Sequence, residues 1–308
     1  MPSEPAIDPR PILTIGHSPD PDDAFMWWPL DGVIDTGRFR FRAVPEDIET
    51  LNRRAVEAGD LDITAISMHT YASVRGRYAL TSSGASVGDG FGPKIVARRP
   101  HERGWLRTPG LTIAIPGERT TAYLASRLCI GRAFGFVSMP FETIMDAVAD
   151  GSVDAGVVIH EGQLTYGGSG LSLIADLGAW WKERTGLPLP LGANAIRRDL
   201  DERFGVGTMR ELSGILSRSI GHALAHRDEG VAHARRFARG LPAATTDEFI
   251  SMYVNRLTVD LGELGARAVE RLLSDGAAAG LCPAPGAIDL VFPLPGEESA
   301  TAEGKYAG

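Results

Sequence analysis

Cysteine is scarce in this chain of 308 residues, and Cys129 and Cys282 are the only two. Two cysteines are too few for a disulfide framework or a cysteine-rich metal site, and they fit a reducing compartment. Basic residues are outnumbered as well, since 31 Lys and Arg stand against 39 Asp and Glu, for a formal net charge of -8. Such a chain has no general attraction to phosphate backbones or anionic lipid, so we expect no nucleic-acid partner.

Long hydrophobic runs are also missing from the sequence. The longest uncharged apolar pieces, such as residues 24–30, fall far short of the roughly 18 residues that a membrane helix needs. Glu4 and Asp8 stand where a secretory peptide would carry a basic region. With 44% hydrophobic and 23% charged residues, the composition is that of a globular protein. We therefore predict a cytoplasmic protein without a membrane segment.

Short apolar runs alternate with amphipathic stretches from residue 12 onward, which is typical of an α/β protein with mainly parallel strands. After about residue 199 the pattern becomes almost wholly helical. This order predicts two lobes, the first formed by residues 1–98 and 196–308 and the second by the inserted residues 99–195. Ligands of open parallel sheets bind beyond the carboxyl ends of the strands, so we expect a ligand cleft between the lobes.

Four predicted strand ends carry polar residues that could converge in such a cleft. They are Ser18 to Asp23, Ser67 with His69, Thr120 with Thr121, and His160 with Glu161. His160 gives the strongest signal, because the apolar run 153–159 delivers an imidazole at its carboxyl end, where it could act as a general base near neutral pH. A hydrogen-bonded structural histidine is the alternative, and His69 and His17 are rival candidates because they also lie near strand ends.

Thr120 and Thr121 follow a strand and a Pro-Gly turn and open a predicted helix. Free backbone N–H groups and the positive end of the helix dipole form an anion site there, which two hydroxyl donors would strengthen. A ligand that bears a carboxylate would suit this position. The alternative is that one threonine merely caps the helix, and the same alternative applies to Ser67.

Asp20, Asp22 and Asp23 form a carboxylate cluster that could be interpreted as a hard-metal site together with His160 or Glu161. Aspartates in a Pro-containing turn are more often turn formers and helix N-terminal charges. No second ligand motif supports a metal, so we predict none.

Several segments together resemble one known family. They are residues 46–52, 64–71, 117–123, 159–162, 176–181 and 185–192, which read EDIETLN, TAISMHTY, GERTTAY, IHEG, DLGAWW and TGLPLPLG. In this order and spacing they resemble the 1,4-dihydroxy-6-naphthoate synthases of menaquinone biosynthesis by the futalosine route, over residues 12 to 275. The resemblance implies a two-lobed, type II periplasmic-binding-protein-like fold. It also implies a lyase that converts cyclic dehypoxanthine futalosine to 1,4-dihydroxy-6-naphthoate without a cofactor.

The resemblance also assigns roles at matching positions. His160 matches the proton acceptor of the family, and Thr120 with Thr121 matches a substrate-binding pair. The strand end formed by Ala65, Ile66 and Ser67 matches the second substrate-binding segment, and two further positions complete the expected site: Asn52 and Ser18. The only partner expected is the small-molecule substrate.

The chain departs from the family near its start, where the family usually has Ser-Pro-Cys-Pro-Asn-Asp-Thr-Phe and this chain has SPDPDDAF at residues 18–25. The change adds two acids and makes the expected cleft more acidic. Three other functions stay open at this point: a carboxylate-binding protein of the same fold without catalysis, a related cleft enzyme such as a chorismate dehydratase, and a metal-dependent lyase that uses the aspartate cluster.

Overall fold

The computed structural model describes residues 8–295. The strands in this range are β1 (Ile12–His17), β2 (Arg40–Pro45), β3 (Ile63–Ser67), β4 (Tyr78–Thr81), β5 (Ser86–Gly88), β6 (Lys94–Ala97), β7 (Thr112–Ile115), β8 (Gly135–Ser138), β9 (Ala155–Val158), β10 (Ser172–Asp176), β11 (Leu189–Arg197) and β12 (Leu290–Val291).

The helices are α1 (Pro21–Trp27), α2 (Ile48–Glu57), α3 (Met68–Val74), α4 (Thr121–Ile130), α5 (Ile144–Asp150), α6 (Gly162–Thr165), α7 (Leu177–Thr185), α8 (Leu200–Phe204), α9 (Thr208–Ala225), α10 (Arg227–Ala234), α11 (Ala243–Tyr253), α12 (Arg256–Val259) and α13 (Gly262–Ala278). Short 3₁₀ turns cover Trp28–Leu30, Arg103–Arg107, Phe141–Thr143, Tyr166–Ser169 and Arg235–Phe237. The α/β class predicted from the sequence is confirmed.

The strands form two sheets. The first has the order β12-β4-β11-β3-β1-β2, with β5 also paired to β11. The second has the order β10-β6-β9-β7-β8. The chain therefore changes sheet between residues 88 and 94 and returns between residues 176 and 189.

Both sheets are mixed, so the expectation of mainly parallel strands is wrong. β1 runs parallel to β2 and β3, and β7 runs parallel to β8 and β9. β11, however, is antiparallel to β3, β4 and β5, and β6 is antiparallel to β9 and β10. β11 is hard to recognise in the sequence because Pro190 and Gly192, both typical of loops, lie inside it.

Local sequence explains where the helices near the sheets begin and end. Asp47 caps α2 by accepting a hydrogen bond from the Thr50 N–H (3.0 Å), and the buried side of this helix carries Leu51 and Ala55. α4 begins after Thr120 and ends at Gly131, whose φ of 74° is the left-handed conformation that favours glycine.

The hydrophobic core lies on both faces of each sheet. On one face of the first sheet, Leu13, Ile15 and Ile63 pack with α1 and with the C-terminal helices. α1 contacts α9, α10 and α11, so the helical last third of the chain covers the element that follows β1. This packing fixes the turn between β1 and α1, which carries the aspartate cluster.

No helix within residues 8–295 is both long and apolar enough to cross a membrane. Residues 1–7, which include Glu4, and residues 296–308 lie outside the described residues.

Candidate active site

A cavity opens where strand ends of the two sheets face each other. It has about 750 Å³ of empty space, part of it open to solvent, which is within the usual size of a small-molecule site. Most of the predicted site residues line it: Ser18, Ala65, Ile66, Ser67, Thr120, Thr121 and His160. Asn52 is fully buried behind the cavity wall. Residues from four separate strand ends are therefore brought together, as their positions along the chain predict.

His160 follows β9 and points one side of its ring at a buried carboxylate. Its Nδ1 lies 3.1 Å from Oδ2 of Asp20. Its Nε2 is buried and has no hydrogen-bond partner among the described residues. The ring of Phe141 packs edge-on against the imidazole, with the two centroids 4.6 Å apart. The side chain is 16% exposed, so the imidazole reaches the cavity without being open to bulk solvent.

The aspartates of the first turn are buried in the same cavity wall. Asp20 accepts a hydrogen bond from the Ser18 hydroxyl, and Asp23 accepts one from the Ser18 N–H (2.7 Å). Burial raises the pKa of Asp22 to about 6, with a further rise from the charge of Asp20. Burial also raises the pKa of Asp23 well above the usual range of an aspartate. Asp22 and Asp23 therefore keep their protons to a higher pH than an exposed aspartate does.

Thr120 and Thr121 stand at the start of α4, where the sequence predicts an anion site. Thr120 is the N-cap, since its hydroxyl accepts from the Tyr123 N–H (3.2 Å) and donates to the Gly117 carbonyl (2.7 Å). The Thr121 hydroxyl donates to the Leu191 carbonyl (2.5 Å). Both hydroxyl protons are thus used inside the protein, so the expected pair of hydroxyl donors is not available to a ligand in this arrangement. The Tyr123 N–H of the first turn of α4 is taken by this cap, whereas the N–H groups of Thr121 and Ala122 have no partner within the helix, and both residues line the cavity.

Asn52 holds the end of β3 in place. Its Oδ1 accepts from the Ser67 N–H (2.9 Å), and its Nδ2 donates to the Ser67 hydroxyl (2.9 Å) and to the Arg119 carbonyl (3.4 Å). One amide therefore ties the end of β3 to the loop that leads into α4. Asn52 supports the cavity wall from behind rather than lining it.

The two rival histidines lie outside this cavity. The His69 ring bonds to the Leu281 carbonyl through Nε2 (3.1 Å), and burial lowers the pKa of His69. The His17 ring bonds to the Ser18 carbonyl through Nδ1 (2.9 Å), and burial lowers the pKa of His17. Neither ring lines the space that His160 reaches.

Other cavity residues escaped the sequence analysis. Asn194 lies in the middle of β11, and its Oδ1 is buried without a partner among the described residues. Its signal was a polar residue inside the apolar run of 193–196. The Gln163 amide, oriented so that both its ends are satisfied, accepts from Tyr253 Oη (3.0 Å) and from the His160 N–H (3.3 Å) and donates to the Gly92 carbonyl (2.6 Å). No local sequence pattern indicates that Gln163 or Tyr253 belongs to the site, because the two side chains meet only in the folded chain.

Arg239 is a further site residue that no sequence pattern indicates. Its Nη1 lies 3.2 Å from Oδ1 of Asp20 and 2.9 Å from Oε1 of Glu161. It comes from the segment between the 3₁₀ turn 235–237 and α11, far along the chain from both carboxylates. It therefore links the turn after β1 to the turn after β9.

The aspartate cluster does not have the geometry of a metal centre. Within residues 8–295, no group of three or more His, Cys, Asp or Glu side chains is placed to hold a metal ion. The carboxylates of the cluster instead accept hydrogen bonds from Ser18 and face His160 and Arg239.

Comparison with known proteins places this chain in a family. The family model described as menaquinone biosynthesis matches residues 13–278. The chain belongs to this menaquinone biosynthesis family. A 1,4-dihydroxy-6-naphthoate synthase of Thermus thermophilus is 42% identical over 269 residues, which are 87% of this chain and 95% of that protein. A synthase of the same name from Streptomyces coelicolor is 38% identical over 286 residues, which are 91% of this chain and 98% of that protein.

Solved structures confirm the fold expected of a menaquinone biosynthesis family member. A crystal structure of a protein from Archaeoglobus fulgidus has a TM-score of 0.80 at 42% identity and covers 88% of this chain and 98% of its own. The ligand-binding component of an ABC-type import system from Staphylococcus aureus has a TM-score of 0.70 at 12% identity, covering 92% of this chain and 97% of its own. The chain thus has the periplasmic-binding-protein-like fold.

Proposed function

We propose that this chain is a 1,4-dihydroxy-6-naphthoate synthase, a carbon–carbon lyase that converts cyclic dehypoxanthine futalosine to 1,4-dihydroxy-6-naphthoate in menaquinone biosynthesis. The names and coverage of its two curated relatives support this assignment. The observation that carries the mechanism is the imidazole of His160, which lines a ligand-sized cavity and whose buried Nε2 has no hydrogen-bond partner among the described residues.

The substrate would bind between two lobes built on the two sheets. Its carboxylate would lie against the first-turn N–H groups of α4, because a helix N-terminus attracts negative charge and supplies free donors. The wall formed by Ala65, Ile66 and Ser67 would pack against the ring system, and Ser18 would lie next to the sugar-derived part. The site would thus combine an anion-binding end with a largely apolar wall, as a carboxylated aromatic ligand requires.

His160 would act as the general base. A neutral imidazole can take a proton near pH 7, and removal of a proton from the sugar-derived part would lead to cleavage of a carbon–carbon bond. Aromatisation of the product would drive the reaction forward. The steps are the transfer of a proton to His160 and the cleavage of one carbon–carbon bond, whose electron pair would stay with the ring system that becomes aromatic, and they assign no role to a cofactor.

The test is to incubate the purified protein with cyclic dehypoxanthine futalosine and to follow the naphthoate by mass and absorbance. Wild-type protein is expected to form product, and His160→Ala is expected to lose at least about 100-fold in turnover, which is the usual contribution of a general base. His101→Ala, a change at an exposed histidine, is the matched control and is expected to keep wild-type turnover.

Each competing function gives a different result in this assay. A binding protein without catalysis would retain the compound and release no product. A metal-dependent lyase would lose activity in excess chelator, whereas the proposed mechanism predicts unchanged activity. Full turnover by a folded His160→Ala variant would refute the assigned base.

A further inference from the structure

A buried carboxylate stands directly behind the proposed base. The Asp20 side chain is 1% exposed, yet three donors converge on it. Its Oδ2 faces His160 Nδ1 at 3.1 Å and accepts from the Ser18 hydroxyl, and its Oδ1 faces Arg239 Nη1 at 3.2 Å. A guanidinium is always cationic in proteins, so this carboxylate is compensated on the side away from the imidazole.

This contact decides which nitrogen of the imidazole is basic. An ionised carboxylate can only accept hydrogen bonds, so Nδ1 of His160 must carry the proton that points at Asp20. Nε2 is then the nitrogen with the free lone pair in the neutral ring, and it is the one without a partner among the described residues. The same logic orients the catalytic histidine in Ser-His-Asp triads.

The backbone is strained at His160 and at Arg239, the two residues that contact Asp20 from opposite sides. Among the non-glycine residues of the described chain, only His160 (φ 52°) and Arg239 (φ 47°) have a positive φ. Such a conformation is unfavourable for a non-glycine residue, persists only where surrounding contacts enforce it, and concentrates at functional sites. The ring of Phe141 lies between them, with the imidazole centroid 4.6 Å away and the Arg239 guanidinium carbon 4.6 Å from the ring centroid.

We propose that Asp20 is the positioning residue of His160, and that Arg239 tunes the basicity of this pair by sharing the negative charge of Asp20. The proposal rests on the proposed function, in which His160 is the base. Asp20 fixes the ring with Nε2 toward the substrate and stabilises the imidazolium that forms when the proton is taken. Arg239 opposes that stabilisation, because its positive charge favours the neutral imidazole.

Within residues 8–295, charged groups from three segments lie at or near the imidazole. Asp20 and Asp22 come from the turn and helix after β1, Glu161 is the next residue in the chain, and Arg239 comes from the segment before α11. The carboxylates favour the protonated ring and Arg239 disfavours it. Removing the negative charge of Asp20 and removing the positive charge of Arg239 are therefore expected to change the pH profile of the reaction in opposite directions.

The experiment compares Asp20→Asn and Arg239→Gln in the full chain by the pH dependence of kcat/KM with cyclic dehypoxanthine futalosine. Asn keeps the volume of Asp and is an equally good N-cap for α1. For Asp20→Asn we expect the acidic limb to move about one pH unit lower and the plateau to fall about 100-fold or more, because the ring is no longer held in one tautomer. For Arg239→Gln we expect the acidic limb of the kcat/KM profile to move several tenths of a pH unit higher, because the variant removes a positive charge beside Asp20. Arg236→Gln removes the same charge from a neighbouring exposed position and is expected to leave the profile in place.

A second measurement does not depend on turnover. Long-range ¹H–¹⁵N correlation spectra distinguish the two neutral tautomers of a histidine, and loss of the signal in His160→Gln assigns it. We expect the Nδ1–H tautomer in the wild type and a mixture of tautomers in Asp20→Asn.

The outcomes separate this inference from the proposed function. If His160→Ala keeps full turnover, the proposed base is wrong. If His160→Ala is inactive but Asp20→Asn keeps the wild-type rate, acidic limb and tautomer, the base stands and the positioning role of Asp20 is wrong. A shift of both acidic limbs in the same direction would refute the opposed action of Asp20 and Arg239.

Discussion

Substitution of Asn52 by alanine should weaken both the fold and the binding site. The side chain of Asn52 is fully buried and makes three hydrogen bonds, two to Ser67 and one to the Arg119 carbonyl. Alanine leaves the buried Ser67 N–H without a partner, and it removes one of two donors to the Arg119 carbonyl, which the Thr70 hydroxyl still bonds (2.8 Å). A buried polar group left unsatisfied costs about 1 to 3 kcal/mol, so we expect Asn52→Ala to lower the free energy of unfolding by about 2 to 4 kcal/mol.

The effect on binding follows from the position of the three bonds. They join the end of β3 to the loop before α4, and both segments line the cavity. Without the Asn52 amide, we expect the end of β3 at Ser67 and the start of α4 to move apart. This change should raise KM for the substrate several-fold, while kcat changes less.

Urea unfolding followed by far-UV circular dichroism measures the stability of this variant, and steady-state kinetics measure KM. Arg53→Ala, at the next position of α2, is exposed and serves as the matched control with an expected change below about 0.5 kcal/mol. A double-mutant cycle of Asn52→Ala with Ser67→Ala should give a coupling energy of about 1 kcal/mol, because the two side chains share one bond. A loss below about 0.5 kcal/mol for Asn52→Ala would refute the argument that its amide supports the wall.

Three other substitutions test separate parts of the molecule. Burial raises the pKa of Glu49 to about 7, so the folded state holds a proton that the unfolded chain releases from about pH 4.5 upward, and stability falls as the pH rises through this window. At pH 8, Glu49→Gln should therefore be about 1 kcal/mol more stable to unfolding than wild type, a value reduced because the group is partly exposed. The difference should vanish toward pH 4.5. If wild type and variant show the same dependence of stability on pH, the prediction is wrong. Gly178→Ala should lose at least about 3 kcal/mol because a Cβ there would collide with the Phe91 carbonyl, whereas Gly168→Ala, with open space around it, should unfold like wild type. Tyr253→Phe should lower the free energy of unfolding in urea by about 1 to 2 kcal/mol, because it removes the buried hydroxyl that bonds to Gln163. If the variant is as stable as wild type, water replaces this hydrogen bond.

The sequence predicted best what depends on neighbouring residues. The apolar run before His160 and the capping pattern at Thr120 are local features, and the structure has a strand at the first and the start of a helix at the second. Because strand ends of parallel neighbours share one edge of a sheet, the meeting of Ser18 with Ser67 and of Thr120 with His160 also followed.

What the sequence could not predict depends on distant partners. β11 carries Pro190 and Gly192, and only its pairing with β3, β4 and β5 makes it a strand. The hydroxyls of Thr120 and Thr121 looked like ligand donors, but carbonyls from the preceding turn and from β11 take their protons. Arg239 meets the aspartate cluster across more than two hundred residues of chain, and no spacing rule reaches that far.

The aspartate cluster of Asp20, Asp22 and Asp23 is compatible with an anionic substrate, because the surroundings of each carboxyl group limit the negative charge that it brings to the cavity. Asp22 and Asp23 have raised pKa values because they are buried, so a neutral or mildly acidic cleft carries less negative charge from them than two ordinary aspartates would. Asp20 is paired with Arg239 on one side and with His160 on the other. Because the N-terminus of α4 supplies positive potential to the same cavity, the carboxylate of a ligand and the carboxylates of the protein can occupy separate parts of one site. Under the proposed function, we therefore expect Asp20 to affect the His160 imidazole more than it affects the binding of the substrate carboxylate.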